Sequence, residues 1–337
     1  TNTTGTADTY IYPTFEGTDV HDGKFVVYLG NNGRMELDAP ASLTIAKNVT
    51  ADSGLTAPDE DFTFVLTAQS KADSAVTAVI HTAKGQDQEV NLVFDTDGKA
   101  QIQGESGNTD ITLKDGQSIE IPGMANTEYT VQETSIPAGF TLTGAVANPG
   151  STGTFDGRDT VTGTVGTEDA QITFTNNYSV APITSGDLNI NLGGTKNITG
   201  RDFQQGDSYT FTIAAAQATQ DAPLPQKDGE KVTSVTITPD SGSSAPFEFD
   251  GVITFSKPGE YRYIIQEDTG DLPGVDYDAA IYRLNIVIVD NGDGRLRLAE
   301  PDEVTNTAGN LEYPHNPFIQ KWGEGEEVNA ISFDNSY

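Results

Sequence analysis

Three short strand patterns occur twice in this chain, and each carries one polar residue on an otherwise apolar face. The first set is Leu43–Val49, Tyr129–Glu133 and Ile172–Tyr178; the second is Leu188–Ile198, Tyr263–Glu267 and Ile331–Tyr337. Side chains alternate across a strand, so residues of one parity share a face. Leu43, Ile45, Lys47 and Val49 are therefore expected to point inward together, as are Tyr129, Val131 and Glu133, and Ile172, Phe174, Asn176 and Tyr178. The second set repeats this, with Lys196 beside Ile190, Leu192 and Ile198, Glu267 beside Tyr263 and Ile265, and Asn335 beside Phe333 and Tyr337. A neutral core gains nothing from a buried lysine, glutamate and asparagine. Their appearance in the same order, twice, is a pattern of reactive groups.

The 337 residues leave room for two or three domains. The duplication argues for two, each large enough to bury its own core. Period-two runs dominate: Lys24–Leu29, Phe62–Leu66, Ala75–Ile80, Glu89–Phe94, Ser208–Ile213, Val232–Ile237, Tyr282–Val289 and Leu296–Leu298. Turn signals at Asn31-Asn32-Gly33, Asp95–Gly98 and Asp290–Gly294 suit hairpins. The last run lacks the spacing and closing glutamate of a calcium loop and reads as a turn. The short segment Ser179–Gly186, with its Pro and Gly, joins the halves. The expected fold is all-β: two tandem Ig-like β-sandwich domains, residues 1–182 and 183–337, forming an elongated rod. Residues 1–39 are expected to be loose at the start, strand-like from Phe25, and paired with the first domain.

Fifty acidic against 18 basic residues give a net charge of −32. That balance argues against a nucleic-acid partner, which needs clustered Lys and Arg, and against anionic membrane surfaces. It suits a soluble, self-repelling, exposed protein. Cysteine is absent, so a secreted chain of this kind holds together without disulfides. No signal peptide or membrane span is evident, and the chain reads as a trimmed mature fragment whose export and anchoring signals lie elsewhere. His21, His81 and His315 are too scattered for a metal site, and no cofactor is called for.

In an immunoglobulin-like sandwich the first and last strands can lie side by side in one sheet. Lys47 and Asn176 open and close the first domain, and Lys196 and Asn335 the second. An ε-amine is a nucleophile only when neutral, and burial in apolar surroundings favours that form. Burial also keeps a carboxyl protonated, so Glu133 and Glu267 are expected to polarise the asparagine carbonyl and relay a proton to its departing nitrogen. The product is a Lys–Asn amide with release of ammonia. Packing supplies the effective concentration, so no external enzyme is needed.

The segments Lys196–Phe203, Phe255–Glu267 with Gly259-Glu260-Tyr261-Arg262-Tyr263 at its centre, Val275–Asp278, and Phe333-x-Asn335-x-Tyr337 resemble the FctA-type domain of Gram-positive backbone pilins. Residues 188–337 carry the resemblance. The first domain resembles a more distant relative through Lys47, Phe62-Thr63-Phe64, Tyr129-x-Val131-x-Glu133 and Phe174-x-Asn176-x-Tyr178, without a clear counterpart of Val275–Asp278. The resemblance implies Ig-like domains with autocatalytic Lys–Asn isopeptide bonds, joined to other pilin subunits by sortase into a cell-wall-anchored extracellular fibre. It implies Lys47, Glu133 and Asn176 as one set, and Lys196, Glu267 and Asn335 as the other. Neither a sorting signal nor a pilin motif around a polymerising lysine is present: Tyr12-Pro13 is followed by Thr14. Any host ligand stays unidentified. Two alternatives remain, the stalk of a non-polymerised wall-anchored adhesin, and a glycan-binding module or glycosidase. Against the second, Trp322 is the single tryptophan, and each glutamate is matched to a Lys and an Asn, not to a second carboxylate.

Overall fold

The computed structural model describes residues 15–21, 24–29, 33–38, 41–82, 85–148, 150, 152–304, 315–323 and 327–337. Its contacts divide the chain into two units. The first comprises Thr1–Val49, Asp59–Ile136 and Leu142–Asn176; the second comprises Thr50–Pro58, Pro137–Thr141 and Asn177–Tyr337. Among the described residues nearly all regular structure is strand, and the three helical elements are single 3-10 turns, Gln69–Lys71, Gln217–Thr219 and Pro301–Glu303.

The first unit contains two larger sheets. One holds five strands in the order Ile111–Leu113, Phe62–Thr67, Glu128–Ser135, Thr160–Thr164, Thr154–Phe155. The other holds eight and places Ala170–Tyr178, Leu43–Ala51 and Ser118–Ile121 side by side. Period two explains both. In Ala170–Tyr178 every second residue is buried, namely Ala170, Ile172, Phe174, Asn176 and Tyr178, which is what a strand with one face on a core requires. Fully buried Phe64 and Phe174 meet edge-on across the core at 5.2 Å. Leu43, Ile45, Leu66, Ile119, Val131 and Ile172 complete the apolar packing at no exposure.

The second unit repeats the scheme with a three-stranded sheet, Ser244–Glu248, Gly193–Thr199, Ser332–Ser336. A seven-stranded sheet runs Ser234–Ile237, Tyr209–Ala215, Gly259–Glu267, Ile281–Asp290, Phe318–Lys321, Glu327–Val328, with Leu296–Leu298 beside Ile281–Asp290. Phe211 stacks on Phe247 at 3.8 Å, and Tyr282 meets Phe333 edge-on at 5.2 Å. Gly194 lets the central strand of the small sheet fit its neighbours, because a Cβ there would stand 2.5 Å from the Ile331 carbonyl oxygen.

Three expectations need correction. Strands Phe15–His21, Lys24–Leu29 and Gly33–Asp38 form their own antiparallel meander; among the described residues they pair with one another and not with the first sandwich. The run Leu188–Ile198 is strand only from Gly193 to Thr199. Before it the chain turns, with Asp187 accepting from the Thr184 backbone and hydroxyl, Leu188 N–H donating to Thr184, and Ile190 N–H donating to Ser185. Ile190 and Leu192 are still buried, so a hydrophobic period survived where the ladder did not. Of Val232–Ile237, only Ser234–Ile237 forms a strand. The turns at Asp95–Gly98 and Asp290–Gly294 do link antiparallel neighbours. The first residues, expected to be loose, and most of the turn at Asn31-Asn32-Gly33 lie outside the described residues.

Candidate functional site

In each unit the lysine and asparagine strands are neighbours in one sheet, and the glutamate strand lies in the facing sheet. In the first unit, contacts between Leu43–Ala51 and Ala170–Tyr178 recur at a constant separation of 127 residues, which only parallel strands can produce. In the second, Gly193–Thr199 pairs in parallel with Ser332–Ser336, and Lys196 stands opposite Phe333. Each lysine occupies an inward slot that an apolar residue would normally fill, since Lys47 follows Leu43 and Ile45 on its face and Lys196 precedes Ile198.

Lys47, Glu133 and Asn176 are 2%, 2% and 0% exposed, and Lys196, Glu267 and Asn335 are 0%, 7% and 1%. The structure thus brings all six predicted residues into two buried clusters. In the first, Lys47 Nζ donates to Asn176 Oδ1 at 2.8 Å and to the backbone carbonyls of Asn48 at 2.8 Å and Phe174 at 3.4 Å. Glu133 Oε1 lies 3.8 Å from Lys47 Nζ. In the second, Lys196 Nζ donates to Glu267 Oε2 at 3.1 Å and to the Phe333 carbonyl at 3.3 Å. Asn335 Nδ2 donates to Glu267 Oε1 at 3.1 Å, and Asn335 Oδ1 accepts the backbone N–H of Asp278 at 2.8 Å. A single carboxyl therefore bridges the amine and the amide nitrogen. This differs from the expected arrangement, because in the second unit Glu267 faces the amide NH2 and a backbone donor faces the carbonyl.

Burial dominates the electrostatics. It pushes the Lys47 amine down to about 8, against the opposing pull of Glu133 and Asp115. Lys196 is lowered by the same cause, with Glu267 opposing. Glu133 and Glu267 are both raised by burial, with Lys47 and Lys196 respectively pulling them back. Both pairs are driven toward a neutral amine beside a neutral carboxyl. That is the protonation state in which an amine can attack a carbonyl and a carboxyl can deliver a proton.

Two aromatic residues belong to the clusters; Phe62 stands in a segment that carries the resemblance, but neither it nor Tyr209 is given a role at the site from sequence. Lys47 Nζ sits 4.2 Å from the Phe62 ring centroid and Lys196 Nζ 5.2 Å from that of Tyr209. Both rings come from the strand beside the glutamate strand, in one register: Phe64 is opposite Glu133 and Phe211 is opposite Glu267. The signal was readable, since Phe62-Thr63-Phe64 and Tyr209-Thr210-Phe211 share an aromatic-Thr-Phe pattern.

Residues 192–337 match the family described as FctA, Spy0128-like isopeptide containing domain. That match spans somewhat under half of the chain. Residues 41–178 match a separate domain family of unknown function, DUF7601. A structure of an alanine variant of the major pilin of Streptococcus pyogenes is similar to this chain at 21% identity over 46% of this chain and 55% of that one, with a TM-score of 0.32. A pilus-presented adhesin is similar at 21% identity over 42% of this chain and 28% of that one, TM-score 0.27. The chain thus spans about half of the first and under a third of the second. A further structure of the Streptococcus pyogenes major pilin aligns over 88% of this chain and 98% of that one, at 14% identity and TM-score 0.21. No curated protein sequence matches. Among the described residues no helix is long and apolar enough to cross a membrane.

Proposed function

We propose that this chain is a structural subunit of a sortase-assembled pilus on a Gram-positive cell, with each domain closed by its own Lys–Asn isopeptide bond. The carrying observation is the duplicated cluster: two lysines, two glutamates and two asparagines, all buried, with each lysine and asparagine on adjacent parallel strands. Left unreacted, each domain buries an amine and a carboxyl whose desolvation costs several kcal/mol. Reaction removes that burden. Lysine Nζ bonds to asparagine Cγ, the Cγ–Nδ2 bond breaks, and the amine's proton travels through the glutamate to the leaving nitrogen, which departs as ammonia.

This is self-crosslinking in one turnover and not enzymatic turnover, and it uses no cofactor. The bond ties the first strand of a domain to its last, the two through which a pulled fibre would load it. It also restricts the unfolded chain, by roughly 5 kcal/mol for a loop of this size if the entropy relation for disulfides transfers. The partners are further copies and other pilin subunits, linked outside the cell and anchored to its wall. Accurate whole-protein mass tests the chemistry: the expected value falls short of the sequence mass by two ammonia molecules, and a full sequence mass would overturn the reading. Co-expression of the chain joined to a sorting signal with a pilus sortase tests the assembly, with a detergent-resistant ladder expected and monomer alone speaking against it.

A further inference from the structure

We propose that the backbone N–H of Asp278 is the oxyanion donor for closure of the second domain, holding the Asn335 carbonyl as Lys196 attacks it. The inference rests on the Lys196–Asn335 bond proposed above and assigns a group that the Lys, Glu and Asn do not supply. A backbone N–H can only donate. Its 2.8 Å contact with Asn335 Oδ1 therefore fixes the amide orientation, with oxygen toward Asp278 and NH2 toward Glu267 Oε1 at 3.1 Å. Glu267 stands on the leaving-nitrogen side and is placed to receive the amine proton and pass it on, but not to neutralise charge on the oxygen. When Nζ adds to Cγ, the carbonyl electron pair moves to Oδ1, and the Asp278 N–H is the donor at that atom. When the pair returns, the Cγ–Nδ2 bond breaks and ammonia leaves.

The loop that presents this donor is fixed on the free side of the asparagine strand. Asp276 N–H donates to the Ser336 carbonyl at 2.7 Å, and Ser336 N–H donates back to Asp276 at 3.1 Å. The Asp278 carboxylate accepts from Asp334 N–H at 2.9 Å and from Ala280 N–H at 2.9 Å. Asp278 is thus clipped to the residue before Asn335 while its own N–H reaches the Asn335 side chain. A donor held this way needs no reorganisation as charge develops, which is what makes such contacts effective. The arrangement also gives the Val275–Asp278 segment a chemical role beyond its place in a sequence motif.

The test starts from full-length chain recovered denatured, refolded by dilution and followed by time-resolved intact mass, with folding followed separately by circular dichroism and protease resistance. Replacing the Tyr277–Asp278 amide with an ester removes the N–H and leaves every side chain. The expected result is loss of one ammonia at the wild-type rate and of the other slowed roughly 100- to 1,000-fold. The dependence of the slow step on pH should keep its shape, because Lys196 and Glu267 remain buried; a general loosening of the site would shift it. Two prompt losses from the folded ester chain would overturn the proposal. If the ester chain does not fold, Asp278→Ala decides: it keeps the N–H but removes the carboxylate that anchors it by accepting from Asp334 and Ala280, and closure at the wild-type rate would overturn the proposal, whereas slowed closure supports it. Wild-type chain that never loses ammonia from the second domain would instead overturn the bond on which the inference rests.

Discussion

Asn335 lies diagonally across from Lys196, two residues beyond Phe333, which is the residue directly opposite that lysine on the neighbouring parallel strand. Asn176 stands in the same relation to Lys47. Paired positions there are 127 residues apart and Lys47 and Asn176 are 129 apart, which leaves Phe174 opposite the lysine. Each lysine donates to the backbone carbonyl of the phenylalanine opposite it. The phenylalanine ring fills the core while the long lysine stem reaches along the strand. Two domains matching different families share this diagonal, together with an aromatic ring near the amine and a glutamate from the facing sheet.

The glutamates are expected to be needed for closure without entering the bond. Glu267→Ala removes the one group bridging Lys196 and Asn335, and Glu133→Ala removes the carboxyl nearest Lys47. Proton transfer by a positioned group typically contributes 100- to 10,000-fold. Each variant should fold and retain one ammonia on the timescale in which wild type loses both, as read by intact mass. Full mass loss in either variant would reduce that glutamate to a buried bystander.

The two proposed bonds should act separately, because each cluster lies within one unit. Lys196→Ala is expected to lower the stability of the second domain by roughly 5 kcal/mol and to open it to protease, with the first domain unchanged. Calorimetry with mass mapping of the fragments would show it. Simultaneous loss of both domains would mean that they are coupled and that the local account of stability is wrong.

An unreacted first domain should carry a pH signature. Asn176→Ala keeps Lys47 and Glu133 but cannot close. Lys47 titrates at about 8 when folded against 10.5 when unfolded, so between those values the unfolded chain holds the extra proton and stability rises with pH. The full span corresponds to up to about 3 kcal/mol. Glu133 has the opposite sign: its folded value is raised above 4.5, so its contribution is complete below 4.5 and disappears as pH climbs through the folded value. Urea midpoints across the alkaline range, compared with a Lys47→Met/Asn176→Ala chain, isolate the lysine. A difference that stays flat from pH 8 to 10.5 would rule out the lowered amine.

Much of this site was written in the sequence because a strand has only two faces. Once Ile172 and Phe174 are placed inward, Asn176 must follow, and Lys47 follows Leu43 and Ile45 in the same way. The aromatic-Thr-Phe runs at Phe62 and Tyr209 were equally legible in type, but not in purpose, since an aromatic on a core face needs no further explanation. Period two failed at Leu188–Leu192. There Asp187 captures the Thr184 backbone and turns the chain, while Ile190 and Leu192 stay buried and mimic a strand. The Asp278 donor was invisible for a different reason, because every non-proline residue has a backbone N–H and residue type does not say where it points. The orientation of Asn335, amide nitrogen to Glu267 and oxygen to Asp278, follows from that donor and was hidden with it.

The mechanical prediction follows from the same diagonal. If Lys196 and Asn335 are covalently joined on adjacent parallel strands, the force passes from one strand to the other, and the chain between them, 139 residue steps long, never bears load. Stretching wild-type protein from its ends should therefore give no extension of domain length. Lys196→Ala releases the loop, which should appear as a step of roughly 460–500 Å at about 3.3–3.6 Å per residue, less the distance already spanned by the folded strands. Lys47→Ala should release a similar but shorter loop of 129 residues from the first domain, so the two variants are distinguishable by step length in single-molecule traces. Steps of domain length in the wild type, at the same lengths as in the variants, would mean that the strands are not tied and that the load-bearing role must be given up.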